Sequence, residues 1–232
     1  MNTGPLIVIE GGDGSGKQTQ TKLLVERTQR ETGRRVMTID FPQYKENVYG
    51  AIIRDYLDGR YGPAMCIDPN LAGLLYCVDR YESAHQIRDW QERGDIVISD
   101  RYHTANIIHQ GAKSAFITGS FSDFSFSQTV KWLDDFEFGF LKNPKPDLVL
   151  YLHVFPEVAR LMMEKQGRQL DEHEANLGYA KQVEQTAVKA CQKFGWIQIE
   201  CCPDKQSILS IEEIHEMIWD RVKPLITGGE SV

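Results

Sequence analysis

Ile7-Val8-Ile9-Glu10-Gly11-Gly12-Asp13-Gly14-Ser15-Gly16-Lys17-Gln18-Thr19 decides the fold. An apolar run of strand character leads into a glycine-rich turn spaced G-x-x-x-x-G-K, and helical periodicity starts at the lysine. A turn in that setting holds phosphate. Glycines let successive backbone N–H groups curl around oxygens, the helix start adds its positive end, and Lys17 reaches the outer phosphates. Gly11, Gly12, Asp13, Gly14, Ser15, Gly16, Lys17, Gln18 and Thr19 are therefore the candidate nucleotide-binding residues. One position departs from the pattern. Gln18 stands where a hydroxyl would ligate magnesium, so either Thr19 substitutes or the ion is held by phosphates, waters and carboxylates.

Outward from this turn, short apolar runs alternate with longer amphipathic ones. Pro5–Ile9, Arg35–Ile39, Asp95–Ser99, Leu148–Val154 and Trp196–Ile199 read as five buried strands. Lys17–Thr32, Val48–Leu57, Leu71–Arg93, Phe126–Phe140, Glu157–Lys165, Glu174–Phe194 and Ser210–Val222 carry helical periodicity. The alternation predicts an α/β protein of the P-loop NTPase fold, a five-stranded parallel sheet with helices on both faces in three layers. The third strand ends in Asp100-Arg101-Tyr102. Ligands of open α/β sheets bind beyond the carboxyl ends of strands, which places Asp100 and Arg101 beside the cradle. Asp100 is a candidate metal ligand, and Arg101 can bridge two phosphates.

The 232 residues, 41% hydrophobic with net charge −7, fit one domain over 1–226, with the tail 227–232 frayed. That charge balance argues against a general nucleic-acid-coating protein. The five cysteines form no C-x-x-C pair and read as reduced intracellular thiols. No apolar stretch approaches a membrane span, and Met1–Glu10 lacks the marks of a signal peptide, so the cytoplasm is expected. Ser114–Ser127, with four phenylalanines among Ser and Gly, reads as an ordered surface loop. The guanine-reading N-K-x-D element of a switch GTPase does not occur.

Further motifs follow in order. They are Phe41-Pro42-Gln43-Tyr44, Val78-Asp79-Arg80, Asp100-Arg101-Tyr102 with Asn106, His109-Gln110-Gly111, Pro144-Lys145-Pro146-Asp147 and the acidic stretch Asp171–Glu174. With Gly12-Asp13-Gly14, this series resembles the thymidylate kinases over nearly the whole chain. The resemblance implies transfer of a phosphoryl group from ATP to thymidylate (dTMP), giving dTDP for dTTP synthesis. Magnesium is implied as cofactor, with nucleotides as the small-molecule partners and no nucleic acid or membrane. It also implies a homodimer through helix faces near Val48–Leu57 and Leu71–Trp90. Phe41 and Tyr44 would shape the acceptor site, and Tyr76 sits where the family stacks a Phe on thymine. Arg80 would bond the base edge, while Asp13, Arg101, Asn106, His109 and Gln110 would complete the acceptor site. Catalytic charge would come from Lys17, Arg101 and Asp13 and from a lid at about 160–174, with Arg168 first and Arg160 second; Glu174 would join Asp100 at the metal.

Two further positions depart from the family. His109 replaces a Tyr that packs on the sugar and helps exclude a 2′-hydroxyl. His153 replaces an Asp and is expected to bond backbone at a strand end. A kinase for another pyrimidine monophosphate such as dUMP, or a catalytically weak nucleotide-binding protein, are the alternatives.

Overall fold

The computed structural model describes residues 3–118, 123–165 and 177–227. Five strands, β1 (Leu6–Gly11), β2 (Val36–Asp40), β3 (Ile96–Asp100), β4 (Leu148–His153) and β5 (Ile197–Glu200), form one parallel sheet ordered β2-β3-β1-β4-β5. The helices are α1 (Lys17–Thr32), α2 (Val48–Leu57), α3 (Pro69–Glu92), α4 (His103–Thr118), α5 (Asp123–Asp134), α6 (Pro156–Lys165), α7 (Leu177–Phe194) and α8 (Ile211–Thr227). A wider-turned π segment, Asp135–Phe140, continues α5.

Strand periodicity sorts the core into two layers. Ile7, Ile9, Ile96, Ile98, Leu150 and Leu152 face one side, where they meet Leu24 of α1 and Ile218, Trp219 and Val222 of α8. Leu6, Val8, Val97, Val149 and Tyr151 face the other, against Ile87 of α3, Ile107 and Ile108 of α4 and Ala187 of α7. A strand buried on both faces needs apolar residues at every position, and the apolar run of β1 meets that requirement. β1 lies between β3 and β4, with Ile9 opposite Asp100. That register brings the turn after β1 and the end of β3 to the same edge of the sheet.

Local chemistry fixes the ends of several helices. Gly33, left-handed at φ 64°, closes α1 by donating its N–H to Gln29 O. Asn47 caps α2 through Gly50 N, and Asp68 caps α3 just ahead of Pro69. Ser210 and Glu213 form a reciprocal capping box at the start of α8. The segment expected as a phenylalanine-anchored loop at 114–127 is helical at both described ends, since α4 runs to Thr118 and α5 begins at Asp123. Among the described residues, no helix is long and apolar enough to cross a membrane.

Candidate active site

The turn between β1 and α1 holds Gly14 at φ 78° and Gly16 at φ 84°, left-handed values that an L side chain resists. A methyl group added at Gly12 or Gly16 would meet nothing within 4 Å, so the main chain of the turn is open to solvent at both positions. Lys17 is buried at its edge, with Nζ donating to Gly12 O at 2.9 Å and lying 3.9 Å from Asp13 Oδ1. Burial first and the Arg101 guanidinium second push its pKa down to about 8, against the pull of Asp13, Glu10 and Asp100. Ser15 Oγ is buried without a partner beside Gly11. Gln18 and Thr19 are exposed on the first turn of α1.

Arg101 follows β3 with a positive φ of 63°, a conformation that costs a non-glycine residue on the order of 1–3 kcal/mol. It is held there by its N–H on Ile9 O (3.0 Å) and by the Ser99 hydroxyl, which donates to Arg101 O (2.5 Å). The bend aims the guanidinium at the cradle, where Nη2 meets Asp13 Oδ1 at 2.6 Å. Beneath it Glu10 is fully enclosed, accepting from Gly11 N at 2.9 Å and Thr104 Oγ1 at 2.6 Å. Burial raises the carboxyls of both Glu10 and Asp100, although Lys17 and Arg101 pull them down.

A cavity of about 400 Å³ opens beside this cluster. Its walls include Asp13, Phe41, Tyr44, Tyr76, Arg80, Arg101, Asn106, His109 and Gln110, which is every residue the sequence placed in the acceptor site. Arg80 is 2% exposed and gives Nε and Nη2 to Glu137 at 2.7 and 2.6 Å, while among the described residues Nη1 meets Tyr102 O at 3.5 Å. Burial would raise the Glu137 carboxyl, but the Arg80 charge and its hydrogen bonds hold it below the usual range. Asp79, also fully buried, accepts from Gln43 N and from Asn47 Nδ2, tying the Phe41–Tyr44 turn and α2 to α3.

A smaller cavity of about 110 Å³ shares Asp13, Arg101, His109 and Tyr179 with the first, and adds Gly12, Arg160 and Glu184. Arg160 bonds Glu164 one turn along α6. Arg168 and Glu174 lie outside the described residues, as does most of the expected lid. The sequence reading missed Glu137, Lys113, Tyr56 and Tyr179. A signal for the first was an acid inside the aromatic run Asp135–Phe140, and for the second its place seven residues after Asn106 on one helix face.

His153 needs correction. Among the described residues its ring bonds carboxylates and not backbone. Its Nδ1 meets Glu200 at 2.8 Å and its Nε2 meets Glu184 at 2.8 Å, a double carboxylate clamp that no spacing along the chain reveals. Burial opposes the charged ring, but these two hydrogen bonds raise its pKa.

A main-chain phosphate cradle at the edge of a parallel sheet, next to a separate cavity with a guanidinium between them, defines a P-loop phosphotransferase with a donor side and an acceptor side. The family model described as thymidylate kinase matches residues 9–218. Thymidylate kinases of Mycobacterium tuberculosis, from strains CDC 1551 / Oshkosh and H37Rv, are each 32% identical over 157 residues, 66% of this chain and 68% of theirs. A solved thymidylate kinase from Candida albicans, whose structure is said to reveal the origin of its broad substrate specificity, superimposes with a TM-score of 0.71 at 24% identity. That match covers 96% of this chain and 92% of the other and bears on the fold. The chain belongs to the thymidylate kinase family. It is an ATP-dependent nucleoside monophosphate kinase that phosphorylates thymidylate.

Proposed function

We propose that the small cavity and the cradle take the ATP phosphates while the 400 Å³ cavity takes thymidylate, so that Arg101 lies between donor and acceptor. The observation that carries this assignment is the pair Asp13–Arg101, which lines both cavities, with Lys17 of the cradle joined to it through the same carboxylate. A phosphate oxygen of the acceptor is already a competent nucleophile, so the chain's task is alignment and charge neutralisation. Lys17 follows the γ-phosphate, Arg101 spans both phosphates, and Asp13 orients the guanidinium. Phe41, Tyr44 and Tyr76 enclose the base, and Arg80, locked by Glu137, faces its edge. Arg160 and Arg168 of the lid would add positive charge over the triphosphate.

The residues present suit magnesium that arrives with the nucleotide. Among the described residues no group of three or more His, Cys, Asp or Glu side chains could hold a metal unaided. Asp13 and Asp100 offer the one or two carboxylates that this ion uses alongside phosphates and water. Bound there, the ion would neutralise charge on the transferring group. The same reading makes the protein a cytoplasmic homodimer. Four buried free thiols, and the exposed Val48 on α2 and Leu71 on α3, support it.

Steady-state kinetics tests the assignment. Lys17→Ala and Arg101→Ala should each lower turnover by about 100- to 1,000-fold with an unchanged circular-dichroism spectrum. Wild-type turnover in either folded variant sinks it. Comparing kcat/KM for thymidylate, deoxyuridylate and ribo-uridylate then fixes how strict the acceptor site is.

A further inference from the structure

A third cavity, of about 250 Å³, shares no lining residue with the two that meet at Arg101, among the described residues. It lies where the π segment after α5, the run into β4 and the turn from α7 to β5 come together. Four rings furnish it. Phe194 and Trp196 stack with centroids 5.4 Å apart, and His103 stands edge-on to Phe138 at 4.9 Å and to Trp196 at 5.8 Å. Burial above all pushes the His103 pKa down to about 3, so this ring lines the cavity uncharged at neutral pH.

The charged groups of the cavity, Asp134, Lys145 and Asp147, do not balance. Asp147 gives one oxygen to Leu6 N at 2.8 Å. Asp134 forms no hydrogen bond or ion pair among the described residues, and burial raises its carboxyl although the Lys145 charge pulls it down. Lys145 is exposed and holds its Nζ 5.1 Å from the centre of the Phe138 ring, where it pairs with neither carboxylate. Two carboxylates against one ammonium leave an acidic space walled by aromatic faces. Both features attract positive charge, and the chain shows the second with its own lysine. An anion meets the opposite on both counts. The space is smaller than the 400 Å³ cavity assigned to a mononucleotide, so its occupant is smaller too.

We infer that this third cavity is a binding site for a flat organic cation, an amidinium or guanidinium carried on a small ring system, which pairs with Asp134, lies against Phe138 and Trp196, and takes the place of the Lys145 ammonium. Such a group is planar and offers paired N–H donors that match a carboxylate, and its faces stack on rings. The inference is independent of which nucleotide fills which of the other two cavities.

The probes are benzamidine, benzamide and benzoate, three molecules of one shape that carry a positive, a zero and a negative charge. Binding is read by nuclear magnetic resonance on the whole protein, from the Trp196 indole N–H signal, which is identified by its loss in Trp196→Phe. Benzamidine should shift that signal saturably, and benzamide and benzoate should bind more weakly in that order. Asp134→Asn should weaken benzamidine by about tenfold or more, the worth of a charge-assisted contact. Lys145→Met should strengthen it, because a competing ammonium is gone. Asp135→Asn removes an exposed acid one position away, paired with Lys131, and should leave the affinity unchanged. The otherwise unaltered spectrum of each variant shows that it is folded. The absence of a saturable Trp196 shift up to about 10 mM benzamidine overturns the inference. So does benzoate binding as tightly as benzamidine, or weaker benzamidine binding in Lys145→Met, since either makes the lysine the recognition group. Equal losses in Asp134→Asn and Asp135→Asn also overturn it, because they reduce the effect to the general negative charge of the surface.

Discussion

Lys17 and Glu137 show how single side chains are tuned by what encloses them. With its pKa pushed to about 8, half of the Lys17 amines have lost their proton near that pH in the nucleotide-free enzyme. The triphosphate needs the ammonium form. The ATP dissociation constant should therefore be flat below about pH 7 and rise, by up to about tenfold per unit, above pH 8. Calorimetric titration across that range checks it, and the inflection should vanish in Lys17→Met. The sign for stability runs the other way. A folded value below the unfolded 10.5 means the charged amine costs stability at neutral pH, and that cost is relieved as pH rises. Glu137 poses the reverse problem, because Glu137→Ala would leave the Arg80 guanidinium buried and uncompensated. Removing one partner of such a pair costs about 3–5 kcal/mol. Denaturant melts should show a loss of that size, with a raised KM for thymidylate in whatever remains folded. A loss under 1 kcal/mol would mean that Arg80 finds other partners.

Elements differ in how plainly the sequence announces them. Lys17–Thr32 and Val48–Leu57 coincide with their expected limits, because Gly33 stops one helix and Asn47 starts the other by local hydrogen bonding. α4 was not foreseen. Its buried side carries Asn106, Gln110 and Lys113 while Phe116 and Ile117 are exposed, so polarity along this segment does not tell which side is buried. Contacts between elements were illegible for a different reason. Arg80 and Glu137 lie 57 positions apart, and His153 finds Glu184 on α7 and Glu200 at the end of β5, so only the folded topology brings them together. That second cluster staples the ends of β4 and β5 to α7. Because the His153 pKa is raised above its ordinary 6.5, the staple's stabilisation is fully present below pH 6.5, down to the range where carboxylates protonate. It fades as pH rises through the raised value. The melting-temperature gap between wild type and His153→Gln should accordingly be widest near pH 6 and narrow toward pH 9. A gap independent of pH would mean the ring contributes packing only.

Over the whole molecule, the sheet order sets the cradle and two cavities around one guanidinium. β1 supplies the cradle and its neighbour β3 supplies Arg101, so adjacent strands deliver the two cations to a single point. The helices α3 and α4 then wall the larger cavity, while α6 and α7 wall the smaller one. An inhibitor that joins adenosine to thymidine through a chain of phosphates should exploit this arrangement, because linkage makes the second binding event intramolecular. A ligand at 100 times its dissociation constant stabilises a protein by about 2.7 kcal/mol, or roughly 5–10 °C for a chain of this size. At equal concentration the linked compound should raise the melting temperature beyond the sum of the shifts from ATP and thymidylate added separately. In Arg101→Ala the excess should collapse, since the residue lies where both halves meet, whereas Tyr76→Ala should weaken only the thymidine half. If the linked compound does no better than its halves, the two cavities do not hold the nucleotides end to end, and the phosphates of donor and acceptor do not meet at Arg101.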